Sequence, residues 1–141
     1  IPVTHRDVNQ AVTFVTGHDQ TGAAPTSLDW ASISQGSQMI VIYMGMKHLP
    51  QITENLLKSG RDPQEPIAIV TTATTDAQVV LETTLAEAVA DVEHAALEPP
   101  AIICIGRGVL LRQALDWQAM AAGLDPRNTD PLGRGRPAES A

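Results

Sequence analysis

Met39-Ile40-Val41-Ile42-Tyr43-Met44-Gly45 decides the reading of the fold. From Met39 to Met44 nothing alternates with a polar residue, which is the pattern of a strand covered on both faces. Similar short apolar runs lie on either side of it. Upstream, Val12-Thr13-Phe14-Val15-Thr16 mixes β-branched and aromatic residues and stops at Gly17. Downstream, Ile67-Ala68-Ile69-Val70 follows Pro66, and Ala101-Ile102-Ile103-Cys104-Ile105 follows Pro99-Pro100. Val79-Val80-Leu81 is a shorter candidate. Runs of four to eight residues bounded by Gly and Pro read as strands rather than buried helices.

Helical patterns alternate with these strands. Pro50 suits a first helical turn, Ile52, Leu56 and Leu57 fall on one face, and Gly60 suits a C-terminal cap. Thr84-Leu85-Ala86-Glu87 has the form of a capping box, predicting a second helix with Leu85, Val89 and Val92 buried. A third helix is expected from Val109 to about Trp117. Residues 17–37, rich in Gly, Gln, Ser and Thr, read as a loop anchored by Leu28 and Trp30. Strands alternating with helices imply an α/β fold, and short connections allow a mixed sheet of about five strands packed by helices. Residues 1–118 are expected to form this unit. Residues 119–141 hold Gly, Pro, Arg and Asp with few large apolar residues, and a disordered tail is expected there.

The chain has 141 residues and a formal charge of -7, from nine basic and sixteen acidic residues, which argues against a nucleic-acid partner. No apolar run approaches the roughly 20 residues needed to span a bilayer. Cys104 lies in an apolar run, where a core thiol is expected and a reducing cytoplasm fits. The four His are scattered without metal-ligand spacing, so no metal is expected. Ile1 is not an initiator Met, and a piece of a longer protein is expected.

Four polar or strand-end clusters are candidate sites. Thr4-His5-Arg6-Asp7 reads either as a solvated loop or as an anion-facing one, because Arg can clamp a carboxylate with two parallel bonds. Tyr43-Met44-Gly45 ends a buried strand. Ligands of open α/β sheets bind beyond such ends, and Gly45 would let a ligand approach the backbone. Thr71-Thr72-Ala73-Thr74-Thr75 ends another strand, either as a turn boxed by Thr75 and Gln78 or as a second wall of the same cleft. Gly106-Arg107-Gly108 reads as a strand-to-helix turn or as an anion site.

In this order the pieces resemble the uroporphyrinogen-III C-methyltransferase family of tetrapyrrole methylases. The resemblance runs through Ile1-Pro2-Val3-Thr4-His5-Arg6-Asp7, Val12 to His18, Leu28-Asp29-Trp30, Val41 to Gly45 and Leu49-Pro50-Gln51-Ile52. It continues through Pro66 to Val70, Ala73-Thr74, Gln78 to Val80, Thr84-Leu85, Pro100 to Ile103 and Leu111-Arg112. It implies the C-terminal lobe of a two-lobed, homodimeric enzyme. Such an enzyme transfers methyl groups from S-adenosylmethionine to uroporphyrinogen III, giving precorrin-2 on the route to sirohaem and cobalamin. By the same resemblance Met44 and Ala73, with Tyr43 and Thr74 beside them, would contact the cofactor. Thr4, His5 and Arg6 would face the tetrapyrrole carboxylates. Val79, Thr83 and Gly108 depart from the family's usual Arg, Gly and Val. The N-terminal lobe's share of the site is not in this sequence, so little activity or cofactor affinity is expected of the chain alone. A methylase of a later precorrin and a non-catalytic dimerisation lobe are the competing readings.

Overall fold

The computed structural model describes residues 1–135. Its centre is a five-stranded mixed sheet in the order β1-β2-β5-β3-β4, formed by Thr13–Thr16 (β1), Ile40–Tyr43 (β2), Pro66–Thr71 (β3), Val79–Thr84 (β4) and Ala101–Ile105 (β5). β1 and β2 are parallel. β5 lies antiparallel between β2 and β3, and β4 is antiparallel to β3. The two outgoing strands β2 and β3 therefore finish on the same side of the sheet, one strand apart.

Pleating divides the apolar strand residues between two cores. Ile40, Ile42, Ile67, Ile69, Ile103 and Ile105 point to one face, where they meet Leu49, Ile52 and Leu56 of the helix Leu49–Lys58. Met39, Val41, Ala68 and Cys104 point to the other, against Val109. Burial on both faces explains why β2 has no polar alternation.

The helix Leu49–Lys58 has Pro at its start and buries Leu49, Ile52, Thr53 and Leu56 at the helical spacing. It is the second α-helix of the chain. The first, Trp30–Gly36, lies within the segment expected to be a loop. It is short and rich in Ser and Gln, which hides its period. Asp29 caps it by accepting from the Ser32 amide, and the helix carries the crossover from β1 to β2.

The expected capping box at 84–87 is corrected. Thr84 is the last residue of β4, paired with Pro66, and the helix it was expected to start runs only over Ala88–His94. The Thr84 hydroxyl is buried without a partner, while the backbone oxygen of Thr84 accepts from the Glu87 amide. Thr83, one residue earlier, donates instead to Asp91 on that helix. The third expected helix is divided as well: a 3-10 segment covers Arg107–Ala114, and a short α-helix, Trp117–Ala121, starts on the Asp116 cap.

Residues 119–135 of the expected tail make defined contacts. Arg127 pairs with Glu82 on β4 at 2.6 Å, the Asn128 amide donates to the Gln113 oxygen, and Arg134 pairs with Asp7 at 2.6 Å. Residues 136–141 lie outside the described residues. No helix among the described residues is long and apolar enough to cross a membrane.

Candidate functional site

Beyond the ends of β2 and β3 lies a mostly apolar cavity of about 710 Å³. Tyr43 and Met44 form one wall and Thr72 and Ala73 the other, with Pro99 and Pro100 between them where the chain enters β5. Residues far apart in sequence thus meet because β5 holds their strands one place apart in the sheet. Met44 is 55% exposed, and large apolar side chains left open at a strand end are available to a ligand.

The backbone of both walls is unusual. Met44, Thr72 and Thr74 all have positive φ, at 55°, 43° and 68°. A left-handed conformation costs a residue with a side chain about 1–2 kcal/mol, and more when it is β-branched. Among the described residues, four other than Gly have positive φ; Met44 and Thr72 line this cavity, and Thr74 lies next to its residue Ala73. Strain of this kind persists where surrounding contacts over-determine it. At Met44 those contacts come from the end of β1. The Gly17 amide donates to the Tyr43 oxygen at 2.7 Å, and His18 Nδ1 lies 3.3 Å from the Met44 oxygen. Gly17 crosses Gly45 so closely that a Cβ on it would lie 2.3 Å from the Gly45 Cα. At Thr74 the amide donates to Gln78 Oε1 at 2.8 Å, which holds the turn between β3 and β4. The Thr75 hydroxyl accepts from the Ala77 amide, while the Gln78 amide donates to the Thr75 backbone oxygen, so the expected box closes one residue early and no helix follows.

Gly45 is also demanded by packing. A Cβ there would meet Ile42 at 2.8 Å and Ile103 at 3.0 Å, so its missing side chain makes room for the core.

On the sheet face next to the cavity runs a smaller trough of about 380 Å³. It shares Tyr43 and Ala73 with the cavity and adds Thr74, Phe14, Trp117 and the N-terminal residues Ile1 and Val3. Phe14 and Tyr43 stand with ring centroids 6.3 Å apart, both largely exposed. Cys104 forms part of its floor. Burial pushes its thiol up to about 11, so it stays protonated and behaves as a core residue.

The structure brings Tyr43, Met44, Ala73 and Thr74 together. It does not bring Thr4, His5 and Arg6 to them. Those three residues sit on a tight turn closed by His5 and Asn9, which bond through their backbones at 2.8 and 2.9 Å. Gln10, just after it, donates from its amide to the Gln38 side chain at 2.8 Å, ahead of β2. The turn is therefore fixed at the end of the sheet where β2 begins, while Met44 lies where it finishes. Arg134 hydrogen-bonds Asp7 and holds its carboxyl below its ordinary value. Arg6 makes no ion pair among the described residues.

Two cavity residues escaped the sequence reading. His18 and Lys47 both line it, His18 against the Met44 carbonyl and Lys47 on the 3-10 turn Met46–His48. Their places just after Gly17 and Gly45, where two strands end, were the signal that could have found them. Among the described residues no group of three His, Cys, Asp or Glu is placed to hold a metal.

Gly106-Arg107-Gly108 is the turn into the 3-10 segment, at the opposite end of the sheet from the cavity. Arg107 lines a second, polar cavity of about 600 Å³ together with Ser34, Ser37, Arg61 and Glu65. Arg61 is spent there. It bonds both Glu65 oxygens at 2.5 Å and the carbonyls of Ser34 and Ser37 at 3.0 and 2.8 Å.

Comparison with known proteins gives the family of the chain. Residues 1–89 match the family model described as Tetrapyrrole (Corrin/Porphyrin) Methylases. The chain is 59% identical over 117 residues to a uroporphyrinogen-III C-methyltransferase from Sinorhizobium sp, covering 83% of this chain and 42% of that protein. It is 43% identical over 119 residues to a siroheme synthase from Methylobacillus flagellatus, covering 84% of this chain and 25% of that one. The chain thus spans about two fifths of the first relative's length and a quarter of the second's. Among solved structures, uroporphyrin-III C-methyl transferase from Thermus thermophilus complexed with S-adenyl homocysteine superimposes with a TM-score of 0.65 at 30% identity, over 74% of this chain and 45% of that one. A cobalt precorrin-4 methyltransferase shares the fold, with a TM-score of 0.68 at 16% identity over 77% of this chain and 45% of that one.

Proposed function

Because this chain belongs to the tetrapyrrole methylase family, we propose that it is the C-terminal lobe of a uroporphyrinogen-III C-methyltransferase, and that its apolar cavity is one wall of the S-adenosylmethionine site. The observation that carries this reading is the meeting of Met44 and Ala73, from two separate strand ends, in one apolar cavity with a strained backbone. A flat heteroaromatic ring needs such a slot: soft apolar surface on one side and main chain on the other.

S-adenosylmethionine, when bound, supplies a sulfonium methyl group for an electron-rich pyrrole carbon. The residues of this lobe bind and orient. Met44 offers a polarizable side chain held outward by the Gly17 and His18 contacts to its turn. Ala73 is small enough to let the ligand reach the backbone, and Tyr43 and Thr74 flank these two. Thr4, His5 and Arg6 face the carboxylates at the rim of the macrocycle. The N-terminal residues Ile1 and Val3, which line the trough, connect that turn to Tyr43 and Ala73. Positioning of this kind converts an encounter of two reactants into an effectively unimolecular step.

A second lobe completes the site, and the working enzyme is a cytoplasmic homodimer with uroporphyrinogen III as its substrate. The test is titration calorimetry with S-adenosylhomocysteine. It is applied to this chain and to this chain joined behind the N-terminal part of the Sinorhizobium relative. Tight binding by the joined protein, weak binding by the chain alone, and loss on Met44→Asp is the expected pattern. Failure of the joined protein to bind would mean a structural lobe without cofactor chemistry.

A further inference from the structure

Asn9 is 1% exposed and is the only fully buried residue among the polar ones of the N-terminal turn. Its side-chain amide donates to the Val3 oxygen at 2.5 Å and to the Ala11 oxygen at 3.3 Å. Its backbone exchanges two bonds with His5, at 2.8 and 2.9 Å. Residues 3, 5 and 11 are thus tied to one residue, and Thr4, His5 and Arg6 lie inside that tie. On its far side the Asn9 Oδ1 atom is buried without a hydrogen-bond partner. It points at Gly108 of the 3-10 segment. A Cβ on Gly108 would come 3.3 Å from that oxygen, 3.3 Å from the Met39 sulfur and 3.4 Å from the Pro2 oxygen.

We propose that Asn9 is a positioning residue for the Thr4–Arg6 turn, and that Gly108 is the empty half of the joint that lets Asn9 be buried there. This rests on the reading that Thr4, His5 and Arg6 meet the substrate carboxylates. A buried polar atom left without a partner is costly, and shape alone does not justify it, because an apolar side chain of the same outline would fill the space without that cost. What the carboxamide adds is direction: two donated bonds that set the path of residues 3–11. The glycine does not answer a left-handed backbone, since Gly108 is not among the positive-φ residues. It answers a lack of room.

The experiment uses this chain, labelled for nuclear magnetic resonance, with amide exchange read at His5 and Asn9 and at Ile42 and Ile103 as a reference. Asn9→Leu keeps the outline and removes the bonds. It is expected to speed exchange at His5 and Asn9 at least tenfold and to leave Ile42 and Ile103 unchanged. Gly108→Val is expected to do the same by displacing Asn9, and to cost little further when added to Asn9→Ala. Unchanged protection in Asn9→Leu, or equal acceleration of all four amides, overturns the joint. So does a strictly additive double variant. The functional readout is titration of the joined protein with uroporphyrin III, the stable oxidised form of the proposed substrate, followed at Thr4, His5 and Arg6. Shifts there, with at least tenfold weaker binding in Asn9→Leu, support the positioning role. Absence of shifts in the joined protein without substitution overturns the substrate role of the turn. The exchange data report separately on the joint.

Discussion

The two ends of the sheet are built on opposite terms. Where β2 starts and β5 finishes, the polar cavity is closed around Arg61, which donates four hydrogen bonds to Glu65, Ser34 and Ser37, although the Asn9 Oδ1 atom of the neighbouring turn has no partner. Where β2 and β3 finish, the backbone is strained at Met44, Thr72 and Thr74, and large side chains stand open. Each end has a cavity of similar size, so volume does not tell them apart. What separates them is whether the groups lining the cavity have already found partners within the chain. An end whose bonds are closed gives stability. An end left open has its contacts still to make.

Changes at the two ends should therefore fail differently. The largest effect is expected where the open end is held in place. Gly17→Ala would force a Cβ to within 2.3 Å of the Gly45 Cα, and overpacking against backbone should cost about 3 kcal/mol, the upper part of the usual range. A urea midpoint close to that of the unsubstituted chain would break the claim that this crossing holds the rim. Arg61→Ala strands a nearly buried Glu65 carboxylate. A loss of about 3 kcal/mol is expected, with cofactor binding in the joined protein unchanged. Met44→Asp should reverse that pattern. Its side chain is largely exposed, so stability should move by less than about 1 kcal/mol, while S-adenosylhomocysteine affinity falls at least tenfold.

Acid probes a paired carboxyl in the middle of β4, away from the polar cavity. Burial raises the Glu82 carboxyl, but hydrogen bonds from Arg127 and Arg112 outweigh it and leave the group below its ordinary value. A carboxyl lowered by folding stabilises the native state above its unfolded pKa, and that contribution fades as pH falls through the folded value. Glu82→Gln should flatten this part of the acid limb of a stability profile. An unchanged limb would show that the pairs with Arg127 and Arg112 add nothing in solution. The smallest effect is expected at Thr74→Gly. Relief of a φ of 68° should offset most of the added freedom of the unfolded chain, leaving stability within about 1 kcal/mol.

The strands were legible because β2, β3 and β5 are buried on both faces, and continuous runs of Ile, Val and Ala bounded by Gly and Pro fit a doubly covered strand and little else. The sequence reading failed where two local signals competed. Thr84 and Glu87 have the spacing of a cap, but the pairing of Thr84 with Pro66 across the ladder took precedence. Trp30–Gly36 has no visible period because a seven-residue helix with only Ser34 buried needs none. Met44 and Ala73 could be proposed from their place after apolar runs. His18 and Lys47 are harder to find, since nothing local says that the exit of β1 curls over that of β2. Nor did the sequence show that Thr4–Arg6 belongs to the other end of the sheet, which depends on Asn9 being buried.

The strand order also has a consequence in time. β1 pairs with β2, and β3 with β4, but among the described residues no ladder joins those two ribbons except through β5. β5 is the last of the five strands to leave the ribosome. Until residues 101–105 emerge, nothing in the sheet can tie the strand that leads to Met44 to the strand that leads to Ala73. The cavity between them therefore waits on a single strand of five residues that completes both ladders.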